Sequence, residues 1–302
     1  MRNIFYSHNG LAMQNAQIYK ANALVEASYR LTLYEQRIIL VCISQVRRDE
    51  SLTDKKLYKV SAQEIAEFSG TQLGTAYQNM KSASERLFDR RVSLHESPNG
   101  KGAARVKLTR WVQTIEYIED EGIVALRFGT DMIPYLSQLT EQFTRYSLAD
   151  IAKMSSTHAI RLYEMLAQWR GKGKREVSLE WFRDALQLDN KYSNIRDLKR
   201  WVIEVATHQI NEHSPLWVSW EQRKTGRRVS HLIFTFGEKE PEESSVNGER
   251  SSKRKPASKT SRSSQGAIYG IPMSIIEATA QPGESYEDAA LRLLEKAAKR
   301  KI

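Results

Sequence analysis

Residues 176–237 read EVSLEWFRDALQLDNKYSNIRDLKRWVIEVATHQINEHSPLWVSWEQRKTGRRVSHLIFTFG, a stretch whose punctuation is local and legible. Val177 closes a short strand, and Ser178 stands where a helix N-cap belongs, ahead of the helical LEWFRDAL. A turn at Asp189–Lys191 precedes a long helix over about residues 193–212. Residues 216–220 and 229–236 alternate as two strands, joined by the basic turn Arg223–Arg228. Upstream, a helix over about 156–169 carries Ile160, Tyr163, Leu166 and Ala167 at helical spacing.

The same order occurs once before. Helical periodicity begins at Leu24 and continues to about Val46, and Leu57–Val60 follows as a short strand. Ser61 with Glu64 forms a capping box that opens QEIAEF. Gly70 and Gly74 frame a turn before a helix over about 75–88. Residues 91–96, 104–118 and 123–129 alternate, the last two forming a ribbon across Glu119–Gly122. The halves overlay at an offset of about 115–117 residues: Val60-Ser61 on Val177-Ser178, and Tyr77–Lys81 on Tyr192–Arg196. Residues 92–96 overlay approximately on 217–221.

The pattern predicts an α+β protein of two tandem winged-helix domains related by internal duplication. The alternative is two unrelated α+β halves that share capping signals. The predicted organisation is an arm over 1–20, a first winged helix over 21–145 and a second over 146–237. Residues 238–266 have almost no apolar side chains and predict a disordered basic linker. A C-terminal helical segment over 267–302 follows, with a short amphipathic helix over 285–300.

Composition narrows the function classes. The 302 residues carry 46 Lys/Arg against 36 Asp/Glu, a net charge of +10 that favours a polyanionic partner. Residues 151–240 are densest in positive charge, with 16 basic against 11 acidic side chains. One cysteine, Cys42, excludes an internal disulfide and a thiolate zinc cluster, and fits a small core residue. No stretch suits a membrane span and the N-terminus lacks an apolar signal region, so a cytoplasmic protein is expected.

The helix over 193–212 carries the sharpest chemical signal. Ile195, Leu198, Val202, Val205, Ala206 and Gln209 share one arc, whereas Arg196 and Arg200 lie nearly opposite, beside Ser193, with Lys199 at the flank and Asn194 in the first turn a further candidate contact. Such a helix suits a major groove, where arginine can bond guanine O6 and N7 and lysine neutralises phosphate. A solvated face balanced by Asp197 and Glu204 is the alternative. Arg223, Lys224, Arg227 and Arg228 crowd the hairpin tip, where they repel one another and fit a phosphate backbone or a minor groove. In the first domain, the overlay sets Asn79 and Lys81 on Asn194 and Arg196.

With TRYSLADIAKMSSTHAIRLYEMLAQW, EVSLEWFRDALQL, YSNIRDLKRWVIEVATHQIN and GRRVSHLIFTF together, the chain resembles the iteron-binding plasmid replication initiators with two winged-helix domains. ANALVEASYRLTLYEQRIIL and the segment around PYLSQL extend the resemblance over about residues 20–237. It implies that the second domain reads an iteron half through Arg196, Lys199 and Arg200. It further implies that the first domain grips neighbouring DNA through Tyr77–Lys81 and its ribbon. It implies monomers on direct repeats, and a homodimer, in equilibrium with monomer, that represses its own promoter. Host helicase, initiator and chaperone proteins are the further implied partners.

Catalytic chemistry is not expected. No G-x-x-x-x-G-K-[ST] loop is present, and GKGK at 171–174 has the wrong spacing. No His-x-His pair accompanies a tyrosine as a nickase would need, and His208 and His213 make a poor metal pair. Neither a cofactor nor a metal is expected. The competing functions are a double winged-helix transcriptional repressor and, in the enzyme class, a tyrosine nickase.

Overall fold

The computed structural model describes residues 15–46, 52–96, 105–137, 139–140, 142–188 and 191–240, together with 267–268, 271–272 and 292–293. The chain divides into two compact units, Met1–Glu242 and Glu243–Ile302. In the second unit Ala267–Ile268 pairs antiparallel with Ile271–Pro272, and residues 292–293 are helical. The rest of the expected helix over 285–300 lies outside the described residues, as do residues 1–14 of the arm and 241–266 of the linker.

The first unit opens with β1 (Gln17–Ala21), α1 (Asn22–Val25) and β2 (Ser28–Tyr29). The continuous helix expected from Leu24 to Val46 is therefore interrupted. Tyr29 and Ser28 pair with Val92 and Ser93, and Thr32 restarts the chain as α2 (Leu33–Ser44) through a capping box with Glu35. Every residue from Glu35 to Ile43 is buried, as befits a helix packed on all sides. The arm is also shorter than expected, because β1 pairs with β8 (Phe143–Ser147), Gln17 opposite Ser147 and Ala21 opposite Phe143.

Next come β3 (Tyr58–Ser61), α3 (Ala62–Ser69) and α4 (Leu73–Leu87). The predicted Ser61–Glu64 box is present, with the Ser61 amide donating to Glu64 at 2.7 Å. Beyond α4 run β4 (Arg91–Glu96), β5 (Arg105–Arg110), β6 (Val112–Ile118) and β7 (Ile123–Phe128). The single strand expected over 104–118 is thus two strands in two sheets, ordered β2-β4-β5 and β3-β7-β6. Trp111 makes the crossing. Its indole is fully buried, edge-on to Tyr29 at 4.9 Å, and its carbonyl accepts from Gly129.

The second half contains α5 (Thr157–Ala167), β9 (Lys174–Ser178), α6 (Leu179–Ala185) and a last helix built from α7 (Ile195–Leu198), a π-helical turn (Lys199–Ile203) and α8 (Glu204–His213). The ribbon β10 (Leu216–Thr225) and β11 (Arg228–Glu238) completes a sheet of order β9-β11-β10. This repeats β3-β7-β6, so the two halves share one core topology. The counterpart of β10 is β6, not residues 92–96: the β4–β5 hairpin is extra to the first half. The linker boundary also moves, since Glu238 ends β11 and the Lys239 ammonium donates to the Ser214 carbonyl at 2.7 Å.

A buried polar seam joins the halves. The Lys20 ammonium lies 2.5 Å from Glu164, which also accepts from the Tyr146 hydroxyl at 2.5 Å and pairs with Arg161 at 3.2 Å. Arg161 in turn donates to the Tyr29 hydroxyl at 2.6 Å and the Ala27 carbonyl at 2.8 Å. Burial alone would raise the Glu164 carboxyl. Lys20 and Arg161 beside it, with the bonds from Lys20 and Tyr146, outweigh burial and hold it below the usual carboxylate range. Arg175 with Glu26 at 2.8 Å, and Ser28 with Asp184 at 2.5 Å, extend the seam.

Half-buried His158, on α5, gives a pH dependence. Burial, then Arg30, Lys191 and Arg161, push its pKa down to about 4. The folded state stays neutral while the unfolded chain binds a proton below its own value of about 6.5, so stability falls as pH drops from about 6.5 towards 4. Between pH 7 and 5 the expected loss is about 1 kcal/mol, discounted for partial exposure. Denaturant titrations of His158→Gln are expected to show a flatter profile there; an identical profile would assign the slope elsewhere.

Candidate nucleic-acid interface

The last helix of the second half is aimed by the turn before it. Asn194 caps it, accepting from the Arg196 amide at 2.9 Å. Tyr192 takes a left-handed φ of 53°. Arg183, from α6, donates to the carbonyls of Lys191 at 3.2 Å, Tyr192 at 2.5 Å and Ser193 at 3.4 Å. That clamp fixes where the helix begins. It is invisible in the sequence because one guanidinium in an amphipathic helix looks like any surface arginine. Ser193 is exposed just outside the helix, and Asp189 and Asn190 of the expected turn lie outside the described residues.

Leu198, Val202 and Ala206 are buried as the wheel predicts, but Ile203, Thr207 and Ile210 are buried as well. The π turn widens the helix over Lys199–Ile203 and rotates the following stripe, so Val205 and Gln209 are only half-buried. Gln209 instead accepts from the Ser155 and Ser156 amides at 3.0 Å each, tying the helix to the start of α5. On the outer face Arg196 is 83 % exposed, 3.7 Å from Asp197. Arg200 is exposed, stacked over the Trp201 ring at 4.7 Å, and Lys199 lies 5.8 Å from the Trp220 ring.

The wing β10–β11 turns at Gly226 and Arg227, Gly226 supplying the left-handed φ of 62°. Lys224, Arg227 and Arg228 are exposed and have no ion-pair partner among the described residues. Arg223 differs from the expected cluster: it faces Glu176 at 2.6 Å. The three tip cations, unpaired among the described residues, and the two outward arginines of the helix are side chains fitted to a polyanion.

The first half differs in the charge of its wing. Its wing tip is Glu119-Asp120-Glu121, closed by Gly122 at φ 61°. Lys81 pairs with Glu119 at 2.6 Å, and the Tyr77 hydroxyl donates to the Glu119 carbonyl. Asn79 donates to the carbonyl of Thr75 in its own helix at 2.8 Å. The expected contacts Asn79 and Lys81 are therefore engaged within the fold, Lys81 bracing the wing. Gly122 is required by that brace, because a Cβ there would meet the Tyr77 ring at 2.1 Å.

Among the described residues no His/Cys/Asp/Glu group could hold a metal, and no helix is long and apolar enough to cross a membrane. Cys42 is fully buried, and burial, then Glu64, push its thiol well above the ordinary range.

Fold and surface together define a tandem winged-helix protein with one strongly basic helix-and-wing face. Family comparison is more specific: the first winged-helix model of the Initiator Replication protein matches residues 17–167, and the second, of the Initiator Rep protein, matches 178–236. The chain belongs to the replication initiator family that its motifs resemble. A replication initiation protein of Escherichia coli is 26% identical over 229 residues, covering 74% of this chain and 70% of that protein. The PI protein of Escherichia coli is 22% identical over 256 residues, covering 74% and 83%. The crystal structure of the Pi initiator protein in complex with iteron DNA shares the fold, with a TM-score of 0.63 and 22% identity over 76% of this chain and 99% of that one.

Proposed function

We propose that the protein initiates plasmid replication by binding direct repeats at the origin, with its second winged helix as the main reader of duplex DNA. One observation carries this reading: Arg196 and Arg200 project from a helix whose other side is buried, beside a wing whose Lys224, Arg227 and Arg228 have no acid partner among the described residues. The shared fold of an initiator solved with iteron DNA supports it. Bound monomers distort the adjacent duplex and recruit host helicase, initiator and chaperone proteins. Footprinting of the full chain on the DNA flanking its gene tests the proposal. Tandem protected repeats of about two helical turns are expected, one turn per winged helix. Uniform binding to random DNA would overturn it, and protection without permanganate-sensitive opening would leave a repressor.

We also infer a homodimer, in equilibrium with monomer, that represses the protein's own promoter. Its support is the edge strand β5, whose Val106 and Leu108 are 60 % and 59 % exposed on one face. An edge unpaired among the described residues, with apolar side chains, suits isologous pairing. Sedimentation of the full chain is expected to show concentration-dependent dimers that Leu108→Asp abolishes. A strict monomer at high micromolar concentration would refute the dimer.

A further inference from the structure

We propose that Gln78 is the base-reading residue of the first winged helix, selecting adenine in the half of the binding site that this domain covers. The inference rests on the DNA-binding reading above and concerns which base the weaker domain recognises. Aligning α4 with the last helix by their starts, Leu73 and Ile195, replaces the overlay of Tyr77–Lys81 on Tyr192–Arg196, because Tyr192 precedes its helix, and superposes three buried positions. Ala76 then matches Leu198, Met80 matches Val202, and Ser84 matches Ala206, all buried. In this register Gly74 stands where the second domain has Arg196, and Gln78 stands where it has Arg200.

Gln78 is exposed, and its amide has no hydrogen-bond partner among the described residues. At 100° per residue it lies opposite the buried stripe of Ala76, Met80, Ala83 and Leu87, at the centre of the outward face. Three of its neighbours are engaged within the fold, Lys81 by Glu119, Asn79 by the Thr75 carbonyl and Arg86 by Glu35 at 3.1 Å. Glu85, two turns on along the same face, is an exposed carboxylate that disfavours phosphate.

The acidic surroundings disfavour the common alternative, a phosphate contact. The adjoining wing tip carries three consecutive carboxylates, of which only Glu119 has an ion-pair partner among the described residues. Those carboxylates repel a phosphate brought close, whereas the donor and acceptor of the amide match adenine N7 and N6. Gly74 points the same way. A Cβ there would meet nothing within 4 Å, so the fold does not demand glycine. Its absence of side chain lets the helix backbone approach the base edges closely.

Selection of bound duplexes from a random library, using the full chain, tests the assignment. The wild type is expected to enrich adenine at one position in the half opposite that read by the second domain. Gln78→Ala should lower that preference about tenfold, the scale of one bidentate contact, and leave the other half and the salt slope unchanged. Gln78→Arg should move the preference from adenine to guanine, an outcome that a merely structural residue could not produce. Unchanged selection with both variants, or a reduced salt slope for Gln78→Ala, would overturn the proposal and leave the second-domain reading intact. A wild type that enriches no sequence would sink both.

Discussion

Glu164→Ala is expected to destabilise the protein by about 3–5 kcal/mol, because it leaves two cations buried without their carboxylate. Lys20 is 1% exposed and Arg161 is 4% exposed, and Glu164 faces both. The ammonium loses its one ion pair among the described residues, while Arg161 keeps its bonds to Tyr29 and Ala27. A Lys20→Met/Glu164→Leu double variant is expected to recover part of the loss, since burying two apolar chains costs less than burying one uncompensated charge. Denaturant midpoints measure both. A loss under about 1 kcal/mol for Glu164→Ala would show that water enters the seam and screens it. The network ties β1, β2 and α5 together, so the same variant should also weaken DNA binding by both halves at once.

Arg200→Ala is expected to lower affinity for the selected sequence by about 5- to 150-fold, at one base position, if the guanidinium bonds guanine O6 and N7. Arg227→Ala is its control. As a wing-tip phosphate contact it should weaken specific and random DNA alike and flatten the slope of log K against log salt by about one. Competition titrations over a range of salt separate the two behaviours. Equal loss on specific and random duplex for Arg200→Ala would make it a phosphate contact, and an unchanged slope for Arg227→Ala would remove the wing tip from the interface.

Both positions can be read from the sequence alone. Arg227 and Arg228 flank a glycine turn between alternating strands, and that signal is local: a two-residue connection needs a left-handed position, so the tip and its charge are legible together. Arg200 is legible too, because periodicity separates it from Leu198 and Val202. Lys81 and Arg223 were equally prominent as cations, yet each lies against a carboxylate from another element, Glu119 and Glu176. Nothing in their immediate neighbourhood announces such a partner.

The element types and their duplicated order were determined by the sequence itself. Ser61, Ser178 and the apolar stripes act within a few residues, and caps and periodicity are properties of short segments. Where the strands pair was decided only by the tertiary structure. Trp111 splits one apparent strand between two sheets because its indole buries against Tyr29, 82 positions earlier in the chain. The inserted β4–β5 hairpin breaks the simple offset between the halves, and the π turn at Lys199–Ile203 rotates a stripe that ideal geometry misplaces. The seam needs Lys20 and Glu164 to meet across 144 residues. Long-range meetings of this kind follow from which buried surfaces fit together, and no local spacing encodes that fit.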